Sequence, residues 1–336
     1  HSDLRRQRQM CIRDRMGEIL FRTRLSENLF KGLSPWMQKL PGGLIHVNVV
    51  GCALFAAISG SSAATVATVG KMSIPELRKR NYPEKILLGS LAGSGTLGLL
   101  IPPSIILIIY GVAVQESIAK LFIAGILPGI MIALIFMSYV IFWSLINKKQ
   151  MPKIVEEYSI FEKIKRSKQL LPVIFLISAV IGSIYTGIAT ATEAASLGVV
   201  GALILSYFQK SLTLETFKTS LLGATKTSCM IAFILAGSTF LSLAMGFTGL
   251  PRNLAMWIQN MDLSPYVLIF VLMIFYIILG MFLDGISAVV LTMAIIEPMI
   301  RQAGFDMIWF GIFLVIVVEM AQITPPVGFN LSLIHI

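Results

Sequence analysis

The sequence predicts an all-α polytopic membrane protein built on an internal inverted repeat, with two re-entrant helical hairpins and broken helices. Three observations lead there. Charged residues make up only 13% of the 336 residues, and mean hydropathy is +0.83, whereas a soluble domain carries about 25% charged residues. Apolar runs of the length that crosses a hydrocarbon core about 30 Å thick fill most of the chain. A pattern of glycine, proline and double proline then occurs twice with nearly the same spacing.

The charges lie between the apolar runs. From Ile86 to Ile146 the ionisable acids and bases are Glu116 and Lys120; from Gln169 to Gln209 there is Glu193; from Thr227 to Ile296 there are Arg252, Asp262 and Asp284. The formal charge of +10 therefore sits in loops, as membrane proteins distribute Lys and Arg. It forms no basic face interleaved with aromatics, which excludes a nucleic-acid partner and leaves membrane lipid as the surroundings. His46 is the one histidine away from the ends, and Cys52 and Cys229 lie in apolar stretches. Neither a zinc site nor a disulfide framework is expected, and no other cofactor is called for.

The elements are taken in chain order. Residues 1–16 share no periodicity with the rest of the chain, and 332–336 stop inside an apolar run. Both are read as non-native tails, a genuine basic tail being the other reading of the first. Residues 17–43 form an amphipathic segment on the cytoplasmic side. Residues 44–147 form the first repeat, with hairpin 1 over 44–70 and a broken helix over 86–111, then a span over 121–146. A charged loop covers 148–168, and connecting and arm helices cover 169–264. Residues 265–331 form the second repeat, with hairpin 2 over 265–296 and another broken helix. The central breaks are Ser59-Gly60-Ser61-Ser62 and the neighbourhood of Asp284; each half-hairpin is too short or too polar for an easy span.

Re-entrant hairpins return to the side they entered, so the other spans fix every loop. Loops 71–85, 148–168 and 209–226 then share one side with 5, 7 and 3 basic residues, against Lys120, Arg252 and Arg301 opposite. The basic side is cytoplasmic. Hairpin 1 opens from the cytoplasm and hairpin 2 from outside. The repeat agrees: Gly60-Ser61-Ser62-Ala63 parallels Gly285-Ile286-Ser287-Ala288, Pro75 parallels Pro298, and Pro102-Pro103 parallels Pro325-Pro326.

Inverted repeats with discontinuous helices belong to secondary transporters, whose sites lie near the bilayer midplane. Unwound backbone in hydrocarbon leaves N–H and C=O groups unsatisfied unless protein, ions or water meet them. The segment Ser59 to Thr65 offers hydroxyls and carbonyls suited to a hard cation. Gly93-Ser94-Gly95-Thr96 before Pro102-Pro103, and Thr324 before Pro325-Pro326, mark the broken helices, because proline removes a donor and clashes with the preceding turn. Asp284 reads either as a carboxylate at depth that binds Na⁺ or a proton, or as the end of a span in water. Glu193 reads as a first-turn acid beside a capping Thr192. Glu319 and Gln322 precede the second break, where packing against a polar cavity and a ligand role both fit. Glu116 reads as a loop charge and Arg301 as a weak candidate for holding an anion.

An intramembrane enzyme lacks material: Asp284 has no deep partner, His-Glu-x-x-His is absent, and His46 stands alone. A purely structural subunit would not need paired polar breaks.

The segments Gly42 to Val50, Phe55 to Thr65, Leu100 to Ser104, Thr192 to Ala195 and Gln322 to Asn330, in that order, resemble the large membrane (permease) subunit of tripartite ATP-independent periplasmic (TRAP) transporters of the C4-dicarboxylate type. The resemblance covers nearly all of residues 17–331. It implies an elevator-type ion-transporter fold in the cytoplasmic membrane of a bacterium or archaeon, with Na⁺ as coupling ion. It also implies a small membrane subunit and an extracytoplasmic solute-binding protein as partners, an organic acid (a dicarboxylate, sugar acid or similar) as substrate, and native helices before and after this stretch. A stand-alone carrier of the same fold is the other reading. Carried over residue by residue, the resemblance places Ser61, Ser62, Thr65, Gly95, Thr96, Ser287 and Thr324 at the substrate. It places Ser59, Gly60, Ser94, Pro102, Asp284, Gly285 and again Thr324 at Na⁺. The chain departs from the family at Ala321 and Val317, where glycine and asparagine are common.

Overall fold

The computed structural model describes residues 25–152, 158–168, 170–208, 212–249, 253, 256, 264–326 and 328–335. The expected tail 1–16, the start of the 17–43 segment, Arg252 and Asp262 lie outside them. Every described regular element is a helix. The first is α1 (Leu25–Met37).

Next comes a helical hairpin, α2 (Ile45–Ser59) and α3 (Ser62–Lys79), turning at Gly60-Ser61. The turn falls where the apolar run breaks, but α3 continues past Gly70 to Lys79 and carries Pro75 inside it. A broken helix comes after it: α4 (Glu84–Gly95), α5 (Leu97–Leu100) and, after Ile101-Pro102-Pro103-Ser104, α6 (Ile105–Ala113). Helix α7 (Ile118–Ile146) is 29 residues long, about 43 Å at 1.5 Å per residue. Helices α8 (Ile160–Ser167), α9 (Leu171–Tyr185), α10 (Ala191–Phe208) and α11 (Leu214–Thr248) connect to the second half.

There α12 (Pro265–Gly280) and α13 (Gly285–Gln302) form a second hairpin, and α14 (Met307–Ile323) and α15 (Phe329–His335) flank the second double proline. Pro75 and Pro298 each stand 13 residues past the start of an 18-residue helix. Both double prolines carry a cis peptide bond. Helices α7 and α13 are long and apolar enough to cross a membrane, and the bent pairs α4/α5 with α6 (41°) and α8 with α9 (54°) raise the number to four among the described residues. Helices α2, α12 and α14 are apolar but shorter.

Helix starts away from water need side-chain acceptors for their first N–H groups. Ser61 accepts from Ala64 N at α3, Ser104 from Leu107 N at α6, and Asp284 from Ile286 N and Ser287 N at α13. Two large apolar clusters, besides a small one at Ile45, Ile86 and Val140, hold the helices together. One gathers α6, α12, α13, α14 and the start of α7 around Tyr110 and Tyr276; the other gathers α1 to α4 with α9 and α10 around Phe55, Leu77 and Leu91. The broken helix of the first half thus sends α6 into the core of the second hairpin. Buried hydroxyls there find partners: Tyr110 Oη donates to Met307 O at 2.6 Å, and Tyr276 Oη lies 2.6 Å from Thr292 Oγ1.

The two ends of the molecule collect different loops. At one end Leu44 N donates to Tyr82 Oη (3.0 Å) and Trp36 Nε1 to Ser167 Oγ (2.8 Å), which joins the basic stretches 71–85 and 148–168. At the other end Arg301 donates to Glu297 Oε1 (2.9 Å) and Val114 O (3.0 Å) and stands 4.0 Å from Glu116. Arg301 thereby ties α13 to the segment after α6, and Glu116 is its partner as well as a loop charge.

Gly60 has φ +62°, and a Cβ there would run into the Pro103 carbonyl. Gly60→Ala is expected to destabilise the chain by at least about 1–2 kcal/mol, the left-handed penalty alone. Gly182→Ala, inside α9 with nothing within 4 Å of its added Cβ, should be neutral or mildly stabilising. Thermal unfolding in detergent separates the two; equal shifts would contradict this reading of the turn.

Candidate functional site

The first tip is a knot of oxygens. α2 ends at Ser59, Gly60 closes it in the left-handed region with N–H to Ala56 O, and Ser61 is extended. Ser59 Oγ lies 2.9 Å from Thr65 Oγ1, Thr65 Oγ1 donates to Ser61 O at 2.7 Å, and Thr65 N donates to the same carbonyl at 3.0 Å. Gly60 O accepts from Ile105 N at 3.2 Å, which ties the tip to the restart of the broken helix. Ser59, Ser62 and Thr65 are buried and Ser61 is half-buried.

The break beside it contributes space as much as donors. The hydroxyls of Ser94 and Thr96 donate to their own helix, at Ser90 O and Gly93 O. At Gly95 a Cβ would overlap the Val66 side chain of α3; at Gly98 it would stand 2.7 Å from Ser61 O and 2.8 Å from Thr65 Oγ1. Pro102 is buried next to Pro103, whose carbonyl faces Gly60. Gly98, absent from the sequence-based candidates, therefore lets the oxygen knot seat on α5. Its spacing of three from Gly95 is the signal that places both on one helix face.

The second tip is built on a carboxylate. Asp284 ends the turn after α12, its Oδ2 accepts from Ile286 N and Ser287 N at 3.1 Å each, and Ser287 Oγ donates to its Oδ1. Asp284 is half-buried and is an N-cap, stabilised by the first-turn N–H groups and the positive end of α13. Gly285 packs tightly: an added Cβ would stand 2.8 Å from Gln322 Nε2 and Val318 Cγ1, and 3.2 Å from Ile106 Cδ1. Thr324, half-buried at the second break, donates to Met320 O of its own helix at 2.7 Å.

The halves meet through Gln322. Ser62 Oγ, at the first tip, donates to Gln322 Oε1 at 3.1 Å, both residues being buried and 260 positions apart. Gln322 also faces Gly285, so one side chain touches both tips. Hairpin 1 thus contacts the second broken helix, and hairpin 2 reaches Ile106 of the first. On the same helix Glu319 is buried with Oε1 unpartnered, and Asn330 on α15 is buried with neither amide atom partnered. Glu193, by contrast, closes an exposed capping box with Thr190: its Oε2 accepts from Thr190 N and Oγ1 at 2.8 Å each. The residue paired with Glu193 is Thr190.

Residues 15–335 match the family model of the tripartite ATP-independent periplasmic transporter, DctM component. The chain belongs to this family. It is 35% identical to the C4-dicarboxylate TRAP transporter large permease protein of Pseudomonas aeruginosa over 86% of this chain and 67% of that protein. The corresponding protein of Rhodobacter capsulatus is 34% identical over 86% of this chain and 69% of its own length. An isethionate TRAP transporter permease protein of Oleidesulfovibrio alaskensis is 32% identical over 91% of this chain and 48% of its own. The family match runs on through Ser332 to His335, the end of α15.

In this DctM-family chain the Ser62–Gln322 bond joins the first tip to the second broken helix. Ser62→Ala and Gln322→Leu should each destabilise, with a coupling energy of about 1 kcal/mol, the net worth of a buried hydrogen bond. A double-mutant cycle on detergent-solubilised protein measures it; strictly additive effects would show that the bond couples nothing.

Proposed function

We propose that this chain is the transport pathway of a Na⁺-coupled uptake system for a small organic anion, in which a mobile body carrying both tips moves as an elevator across the membrane. The observation that carries the reading is the meeting of both tips at Gln322. Polar breaks are tolerated at membrane depth where they line a site, and here four of them converge. The basic end, with loops 71–85 and 148–168, faces the cytoplasm.

The residues present fit a hard monovalent cation. Ser59 Oγ, Ser61 O and Thr65 Oγ1 are all neutral oxygens within hydrogen-bond reach of one another, the ligand type such an ion takes. Gly60 O and the Pro103 carbonyl, next to Pro102, frame this cluster, and the second tip supplies Asp284, Gly285 and Thr324. Bound Na⁺ supplies positive charge beside the substrate. The chain's own part is to hold the oxygens in place and keep water out.

The substrate is a carboxylate or sulfonate, the classes named for the relatives. Among the described residues no hydrogen bond or ion pair joins a basic side chain to either tip. The anion is therefore held first by the Ser61 hydroxyl and the first-turn N–H groups of α3; the hydroxyls of Ser62, Thr65, Thr96, Ser287 and Thr324 donate within the protein and would have to turn from those acceptors to reach it. A small membrane subunit and an extracytoplasmic binding protein complete the tripartite system that the family name describes.

The test is uptake of a radiolabelled C4-dicarboxylate into proteoliposomes holding this chain with its small subunit and binding protein. Uptake should require an inward Na⁺ gradient and fall with Asp284→Ala. Ser61→Trp and Ser287→Trp should each lower it at least about tenfold, the equivalent of roughly 1.4 kcal/mol, without loss of assembly. Uptake indifferent to the Na⁺ gradient and to Asp284→Ala would overturn the coupling. Full uptake without the binding protein would point to a stand-alone carrier.

A further inference from the structure

Helix α8 has a face that no described part of the molecule covers. Its start is fixed by a capping box in which Ser159 N donates to Glu162 Oε2 at 3.2 Å. Its contacts to the rest of the chain use one side: Ser167 Oγ accepts from Trp36 Nε1 at 2.8 Å, and Lys163 Nζ stands 5.5 Å from the centre of the Trp36 ring. Arg166 turns to Tyr158, stacking at 4.2 Å and donating to its hydroxyl at 3.1 Å. Ile160, Phe161 and Ile164 remain, 74%, 76% and 52% exposed. At 100° per residue they occupy one arc about 100° wide.

The borders of that arc are cationic. Lys163 beside the half-exposed Trp36 lies on one flank and Lys165 on the other, Lys168 falls within the arc at the C-terminal end of the helix, and Glu162 points away. Over 148–168 there are seven Lys or Arg against three Asp or Glu. The helix is too short to span, and it bends by 54° into α9, on which Leu171 and Phe175 are exposed as well. The apolar surface thus runs on from α8 into an apolar helix of a membrane protein.

We infer that α8 is an interfacial helix seated in the cytoplasmic leaflet, with Ile160, Phe161 and Ile164 in the acyl region and Lys163, Lys165 and Lys168 at the headgroups of anionic phospholipids. Apolar residues on one face with basic residues along its edge is the pattern of helices that lie in the interface plane. Trp36 supplies the amphipathic ring favoured at that depth, and the lysine stems reach outward along the apolar surface to the phosphate level. Anchored there, α8 would hold the α1 side of the molecule at a fixed depth while other parts move. The inference rests on the sidedness adopted under the proposed function.

The test is spin-label depth measurement on the full chain, with its native Cys11, Cys52 and Cys229 replaced by alanine, in vesicles of phosphatidylcholine with or without phosphatidylglycerol. Labels at Phe161→Cys and Ile164→Cys should be reached by oxygen and not by a water-soluble nickel chelate, at a depth of about 5–10 Å; a label at Glu162→Cys should show the reverse. Phosphatidylglycerol should deepen the Phe161→Cys label, and adding Lys165→Gln and Lys168→Gln should remove that effect. Nickel access at Phe161→Cys overturns the inference, as does a label shielded from both reagents, which would mean a protein partner covers the face. No response to phosphatidylglycerol overturns the anionic-lipid part. Sidedness is read separately by adding the impermeant chelate to one side only and comparing labels at Glu162→Cys and Gln302→Cys. If both respond from the same side, the assigned topology fails while the depth result stands.

Discussion

The structure depends on satisfying the backbone groups freed where helices are interrupted. In hydrocarbon each unpaired N–H or C=O costs several kcal/mol, so an interruption persists only if neighbouring groups take up its hydrogen bonds. Gly60 O accepts from Ile105 N, which ties the first tip to the first broken helix. Ser104 caps α6 and also donates to Leu99 O across the Pro102-Pro103 break. Asp284 takes up two N–H groups of α13. The architecture around these points is a consequence: glycines at 60, 95, 98 and 285 let the partners approach closely, and the apolar clusters exclude water around them.

That constraint also explains why two halves of one chain fold as they do. Each half supplies a hairpin and a broken helix, and each hairpin docks on the other half: Ser62 on Gln322, Gly285 against Ile106. The hydrogen bonds of the second tip lie within its own repeat, whereas the first tip reaches the other half through Ser62. A site assembled this way is split between two bodies of backbone that share one side chain, Gln322, which suits a carrier whose ion and substrate occupancy must be felt at both tips together.

Much of this was legible in the sequence. The breaks at Gly60-Ser61, Pro102-Pro103 and Pro325-Pro326 were visible because glycine and proline interrupt apolar runs for local reasons, and the doubled spacing exposed the repeat. What escaped was long-range or concerned the second use of a residue. The Ser62–Gln322 contact spans 260 positions, and no local pattern encodes it. Asp284 stood out as an acid at depth, yet Asp-Gly-Ile-Ser is also an N-cap pattern, and the carboxylate does serve as a cap. Gly98 and the tie of Arg301 to Glu116 and Val114 required knowing which helices touch. The uncovered face of α8 was hidden within a stretch that composition marked only as a charged loop.

In the proposed reading the oxygen knot at the first tip holds a sodium ion. Thermal unfolding of the chain in detergent, compared in NaCl and KCl at equal ionic strength, tests it most directly. A bound ion stabilises the folded state by mass action, so the melting temperature should be several degrees higher in NaCl, and the difference should vanish in Ser59→Ala combined with Thr65→Val. Identical melting temperatures in the two salts for the unaltered chain would contradict the claim.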